Sequence, residues 1–442
     1  MQTNLGEAYD YVSTAYGLKF LACVPFLFLI GLCGFWFSKP VCTQKFCVPV
    51  LFLPLITLLF VFLSALTLMS NKGFNSLERQ IITFTKFVIS DFAGFKQNSS
   101  QLLSGLKITG TGDQEPSLYV LVIGESECRD YMSAYGYPKP TTPVSDQQIT
   151  DGSVLRFSRA YSNFTHTINS LSMALTSADQ YRGTKIAQAV SLIQAARLAG
   201  FKTYWISNQS KDSMVDTPIT AMAMQADKRI FISAAGGDAA ENTDLYDGEI
   251  LSNLPAMSEN EKSLVIIHLH GSHFVYGDRY PESFAKFSDP NKTVGEYLNS
   301  ILYTDHVLDE LGQKFKADPR FMAMLYFSDH GADPTQKTDH NSSHFTFSMV
   351  RIPMLLTLSE KYRTGHAETE AVLSSHQDSC FTNDLIFDMM IGIMGIAIEG
   401  ISDERFAITS EKYDLDREHA LTLYGDRHVS DDPDYNGNPL VK

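Results

Sequence analysis

The sequence predicts an α/β fold, a mainly parallel sheet sandwiched by helices and preceded by transmembrane helices. Three observations predict it. From about residue 117 onward, short apolar runs alternate with stretches of helical spacing, the pattern of strands joined by covering helices. The runs are continuous rather than alternating in polarity, which marks strands buried on both faces. Ahead of them lie two apolar stretches, Leu18 to Phe37 and Phe46 to Met69, each long enough for a bilayer core, which takes about 20 residues.

These stretches define a membrane anchor over residues 1–70. Buried core helices rarely run so long without a charge. A cleaved signal peptide does not fit, because the run is too long, Glu7 and Asp10 precede it, and a second span follows. The loop from Ser38 to Lys45 carries two lysines and no acid, which places it in the cytoplasm and the large C-terminal part outside. Lys72, Arg79 and Lys86 run against that orientation. An external N-terminus without a signal is unusual, so the anchor reads as a short form or as lacking earlier spans.

Residues 71–116 form a connector. Ile81 to Phe92 has apolar residues at helical spacing, suited either to the membrane surface or to packing on the following domain. Thr109 to Glu115, polar and containing Gly110 and Gly112, reads as a linker.

Residues 117–442 form the main domain. Leu118 to Ile123, Thr203 to Ser207, Ser263 to His268, Phe321 to Phe327 and Pro353 to Thr357 read as strands. Gln188 to Leu198, Val294 to Lys314 and Leu385 to Ile396 read as helices, and Tyr161 to Ser177 as partly helical. The formal net charge of −15 argues against a nucleic-acid surface. Of six cysteines only Cys128 and Cys380 fall in this domain, which allows one disulfide but no framework.

The strand ends carry the polar residues. Gly124-Glu125-Ser126 follows the first strand, and His268-Leu269-His270-Gly271-Ser272-His273 ends another. Asn163 to Ser172 is rich in hydroxyls, and Ser328-Asp329-His330-Gly331 precedes His340 and His344. In open α/β sheets this edge binds ligands. An Asp-His pair alone could equally be a strand-end turn. Together, Glu125, Asp329 and His330 supply three ligands suited to Zn²⁺ with one position open, the mark of catalytic zinc. A hydroxyl beside such a metal loses its proton more easily and becomes a nucleophile.

Six segments between about 118 and 400, in order, resemble motifs of one family. They are Gly124 to Pro143, Thr167 to Thr176, His270 to Pro281, Asn299 to Asp305, Ser328 to Gly331 and Thr382 to Gly392. They look like the motifs of bacterial phosphoethanolamine transferases, in the alkaline-phosphatase and sulfatase superfamily. The resemblance implies a sulfatase-like catalytic domain in the periplasm, anchored in the bacterial inner membrane. It implies that Glu125, Thr167, Asp329 and His330 bind Zn²⁺, with Mn²⁺ the less favoured metal. Thr167 would be the nucleophile and carry a covalent phosphoethanolamine. Lys211, His273 and His340 match residues that hold substrate or a second Zn²⁺. His344 rivals His340 for that role. His166 is a candidate base, although metal activation would make a base unnecessary. Thr165 and Ser170 read as capping or packing hydroxyls, and His268 as a satisfied strand histidine.

The implied activity moves phosphoethanolamine from phosphatidylethanolamine to an envelope acceptor, which is lipid A, lipopolysaccharide core or a periplasmic glycan. The alternatives are a phosphoglycerol transferase or a phosphatase- or sulfatase-type hydrolase of the same superfamily. From another class comes a metal-binding pseudoenzyme with a regulatory role. The chain departs from the family pattern in several places. Ala332 stands where many relatives carry Glu, which would weaken the metal's surroundings. Asn163 and Met173 replace the cysteine pair of the lipid A enzymes, Ser172 replaces a proline, and relatives typically have five spans. These departures favour core sugars or periplasmic glucans over lipid A as acceptor.

Overall fold

The structure, a computed structural model, describes residues 103, 105–209, 218–232 and 246–441. The two expected spans, most of the connector and Lys211 lie outside these residues. Among the described residues no helix is long and apolar enough to cross a membrane.

Every apolar run read as a strand forms one. The strands are β1 (Ile108–Thr111), β2 (Leu118–Gly124), β3 (Val154–Arg156), β4 (Arg159–Tyr161), β5 (Lys202–Ser207) and β6 (Lys228–Phe231). They continue with β7 (Ser263–His268), β8 (Phe321–Ser328), β9 (Met354–Leu358), β10 (Cys380–Thr382) and β11 (Ile396–Ile398). Seven build the central sheet in the order β3-β9-β8-β2-β7-β5-β6. The pairings from β8 across to β6 are all parallel. β9 runs antiparallel to β8 and to β3, so the sheet is mixed, with a parallel body. The edge strand β6 escapes sequence reading because half of its four residues are charged. Lys228 and Arg229 are exposed there, which discourages pairing with another chain.

Gly110 and Thr111, expected as part of a linker, instead pair with β11. Gly110 is the reason: a Cβ there would lie 3.0 Å from Gly395 O and 3.2 Å from Ala397. The glycine marks close backbone approach rather than a loop.

Six helices complete the frame around the site: α1 (Pro143–Thr150), α2 (Thr167–Ala174), α3 (Leu192–Leu198), α4 (Lys292–Lys316), α5 (Glu360–Gly365) and α6 (Ile386–Ile393). On one face of the sheet, Val307, Leu308, Leu311 and Phe315 of α4 pack with Val120, Val122, Val265 and Ile267. On the other, Tyr119 meets Phe201 and Tyr362 of α5 edge-on at 6.0 and 6.5 Å. Both faces are covered, which is why β2, β7 and β8 are buried at every position. Fully burying one such Val, Leu or Ile side chain contributes about 1.5–3 kcal/mol.

Candidate metal centre and nucleophile

The register of the parallel strands assembles the site. Gly124 pairs with Ser328, so the next residues, Glu125 and Asp329, leave the sheet side by side. Gly124 is required because a Cβ would come within 2.5 Å of the Tyr326 hydroxyl on the neighbouring strand. Glu125 Oε1 lies 3.2 Å from His330 Nε2, and Asp329 Oδ2 lies 3.4 Å from the same nitrogen. One ligand atom from each of the three buried residues falls within 4.8 Å of the others.

Each side chain is held from behind. Asp329 Oδ1 accepts the backbone N–H of Ser126 at 3.1 Å and of His330 at 2.7 Å. His330 Nδ1 lies 2.8 Å from Gly331 O, which leaves Nε2 toward the carboxylates. Ser126 turns the chain with φ +58°, a costly conformation for a residue with a Cβ. Tyr297 clamps that turn: its hydroxyl accepts from Cys128 N–H at 2.7 Å and donates to Ser126 O at 2.8 Å.

Electrostatics favour a cation here. Burial raises the Asp329 carboxyl, and the neighbouring Glu125 charge raises it further. Burial would lower His330, but Asp329 and Glu125 outweigh it and push the imidazole up to about 10. Burial also opposes ionisation of Glu125, yet the hydrogen bond and charge of His330 hold it well below the usual carboxylate range. Asp329 Oδ2 has no hydrogen-bond partner. Two buried carboxylates, an imidazole and an orphaned oxygen fit a divalent cation of the zinc kind.

Thr167 opens α2, and its Oγ1 reaches into this group. It donates to Glu125 Oε2 at 3.0 Å and lies 3.5 Å from His330 Nε2. Ser170 turns away. Its hydroxyl donates to Asp329 O at 2.6 Å, joined there by Ser162 Oγ at 2.6 Å and Asn383 Nδ2 at 2.7 Å. Thr165 is buried and its hydroxyl has no hydrogen-bond partner. Asn163 tethers this segment with hydrogen bonds. Its Nδ2 donates to Ser170 O at 3.1 Å and to Asn383 Oδ1 at 2.8 Å.

The histidines separate clearly. The His340 ring lies 5.0 Å from that of His330 and 5.2 Å from that of His166. Its Nδ1 is 2.6 Å from Asp339 Oδ1, off the hydrogen-bond direction. Burial would raise Asp339, but the nearby His340 charge and the Tyr276 hydrogen bond bring it down to about 2. His166 caps α2 without a side-chain bond, and burial, then His340 and His330, keep its imidazole neutral. His273 is half-buried, 5.4 Å ring to ring from His270, and its charge helps to hold Glu125 ionised. His344 is exposed on a 3-10 turn, so of the two rivals only His340 joins the group. His268 is not the satisfied strand histidine expected. It is buried edge-on to Trp205 with both ring nitrogens unpartnered, and burial lowers it to about 4. Cys128 and Cys380 are both free.

Ala332 is fully buried with Cys128, Tyr131, Tyr276 and Tyr297. Sequence reading also passed over Tyr297 and Asn383, which hold the ligand-bearing backbone through a hydroxyl and an amide, and Asp339, which lies against His340. Only Asn383 lay in a flagged motif.

The sulfatase family profile matches residues 117–387. Phosphoethanolamine transferase EptC of Escherichia coli K12 is 32% identical over 319 residues, 66% of this chain and 52% of that protein. Phosphoethanolamine transferase CptA of Salmonella typhimurium is 28% identical over 452 residues, 93% of this chain and 76% of that one. The solved C-terminal periplasmic domain of the E. coli EptC, in complex with Zn, superposes with a TM-score of 0.66 at 28% identity. That match covers 75% of this chain and 97% of that domain. The chain spans about half the length of the EptC relatives it matches. The matched profile, the mixed sheet and the acid-rich strand edge agree: the chain belongs to the sulfatase family, and its curated relatives there include phosphoethanolamine transferases.

Proposed function

We propose that the chain transfers phosphoethanolamine from phosphatidylethanolamine to an envelope glycolipid or glycan, by way of Thr167. The carrying observation is the Thr167 hydroxyl, 3.0 Å from Glu125 and 3.5 Å from His330 at the edge where the parallel strands end. Thr167 Oγ1 attacks the donor phosphorus, the bond to the diacylglycerol oxygen breaks, and that oxygen leaves with a proton. The headgroup then rests on Thr167 as a phosphodiester. An acceptor hydroxyl attacks the same phosphorus, the bond to Thr167 breaks, and the threonine regains its proton. The hydrogen bond to Glu125 orients the threonine hydroxyl, and the proton it gives up is balanced by the one that the departing diacylglycerol oxygen takes. Glu125, Thr167, Asp329 and His330 would hold Zn²⁺, which supplies charge neutralisation at the phosphoryl oxygens and eases ionisation of the hydroxyl. His273 and His340 stand where they can bind the phosphoryl oxygens or a second cation. Lys211 is proposed for the same task.

An anchored chain with a periplasmic catalytic domain at the bacterial inner membrane suits a lipid donor. The solved relative's domain is periplasmic, which supports that location. The departures at Asn163, Met173 and Ser172 favour a core-sugar or glucan acceptor.

The test uses phosphatidylethanolamine labelled in its headgroup, offered with lipopolysaccharide core and with periplasmic glucan. Label on one acceptor, with an equal yield of diacylglycerol, is expected. Diacylglycerol with free phosphoethanolamine would instead mean a hydrolase. Label transferred only from phosphatidylglycerol would mean a phosphoglycerol transferase.

A further inference from the structure

Asp247 belongs to none of the sequence motifs, yet its carboxylate knots the sheet edge together. It is buried. Oδ1 accepts the backbone N–H of His270 and the side-chain amide of Asn208, each at 2.8 Å. Oδ2 accepts the backbone N–H of Gly271, also at 2.8 Å. Asn208 lies just beyond β5, and His270 and Gly271 just beyond β7. One carboxylate therefore ties two loops where they leave the ligand-binding edge. Two further bonds run alongside: Asn208 N–H donates to His268 O and Gln209 Nε2 to Leu269 O, each at 2.9 Å.

Gly271 passes this grip on to the metal centre. It has φ +51°, and a Cβ would come within 2.8 Å of Glu125 N and 2.9 Å of Glu125 O. Ser272 next donates its N–H to Glu125 O at 2.9 Å, and His273 N–H donates to His270 O at 3.2 Å. The turn held by Asp247 thus presses on the backbone of Glu125 and carries His273. All three donors to Asp247 sit just beyond the ends of β5 and β7, none of them in a helix or a strand interior.

We infer that Asp247 is a positioning residue, which fixes the turn 270–273 and through it sets Glu125 and His273 for the reaction. This rests on the transferase reading above. Residues that orient ligand side chains from behind typically cost 10–100-fold in activity when lost. Asp247→Asn keeps the size but turns an amide toward the Gly271 N–H.

In the full chain in detergent, kcat for headgroup transfer should fall about 10–100-fold with KM nearly unchanged. In a His273→Ala background the same substitution should cost less than it does in the wild type, leaving only the part that acts through Glu125, because the two act on one turn. Losses that simply multiply would overturn the inference. A second readout does not depend on activity: amide hydrogen exchange of the peptide 269–273 should quicken at least about tenfold, while β2 and β8 stay protected. Unchanged protection of that peptide would overturn the clamp. If the wild type transfers no headgroup, the transferase reading fails, and exchange alone decides the clamp. If the His273→Ala chain is too slow to assay, exchange likewise decides. If Asp247→Asn fails to fold, Asp247→Glu, which shifts the charge by one methylene, takes both readouts.

Discussion

Ala332→Glu would place an acid directly after Asp-His-Gly, and the structure predicts that it is harmful. Ala332 is fully buried in one apolar cluster with Tyr131, Tyr276, Tyr297 and Cys128. Forcing extra atoms into a packed cluster costs about 1–3 kcal/mol. The charge costs more, and Glu127 provides a gauge close by. Glu127 is buried and accepts the Tyr326 hydroxyl at 2.6 Å and that of Ser272 at 3.3 Å. Burial still pushes it up to about 7, against those hydrogen bonds. At about 1.4 kcal/mol per unit, that is about 3 kcal/mol at neutral pH. A glutamate at 332 without such donors costs at least as much. The sum is about 4–6 kcal/mol, comparable with the whole stability of many domains. The assay is guanidinium unfolding of the full chain in detergent, followed by tryptophan fluorescence in a Trp36→Phe background so that Trp205, buried in β5, reports alone. A midpoint close to that of the wild type, with tighter zinc binding, would refute the reasoning. It would mean that position 332 faces the metal rather than the tyrosines.

Three further substitutions test the frame. Asp305 caps α1, accepting the N–H of Val144 at 2.9 Å and of Ser145 at 3.0 Å, yet burial outweighs these bonds and pushes its carboxyl up to about 6. A folded pKa above the unfolded one means that the folded state holds the extra proton between about pH 4 and 6, so stability from this group is lost as pH rises through that window. The stability of wild type minus Asp305→Asn should therefore drop by about 2 kcal/mol between pH 4.5 and 7.5, and a flat or rising difference would count against it. Tyr297→Phe strips the clamp from Cys128 N–H and Ser126 O and should cost about 1–3 kcal/mol in the same unfolding assay. Asn383→Ala removes one of the three donors to the Asp329 carbonyl and the anchor of the Asn163 segment, and calorimetric titration should show zinc affinity about tenfold weaker.

The parallel body of the sheet was legible because its strands are buried on both faces and read as unbroken apolar runs, such as Leu118 to Ile123. Residues at their ends were legible for the same reason, since a polar group closing such a run must face the sheet edge. Glu125, Asp329 and His330 come together as that logic requires, whereas Thr167, at the start of a helix, was singled out only by the family resemblance. Boundaries failed where local signals were underweighted. The helix expected from Gln188 starts only after Ser191, whose hydroxyl and Gln194 form a capping box that the sequence spells out. The expected helix to Ile396 stops at Ile393, because Gly395 turns with φ +66° and releases the chain into β11. The supporting residues were illegible for a different reason. Asp247, Tyr297 and Asn383 work through backbone amides and carbonyls distant in sequence, and no spacing announces such partners.

The central claim is that Thr167 carries the transferred group. Its most direct test is the intact mass of the zinc-loaded full chain, quenched after mixing with phosphatidylethanolamine without acceptor, alongside Thr167→Ala. The account predicts one added phosphoethanolamine on the wild type, mapping to Thr167 and discharged by acceptor, and none on the variant. An adduct on the variant, or transfer by a variant that never carries one, would contradict it.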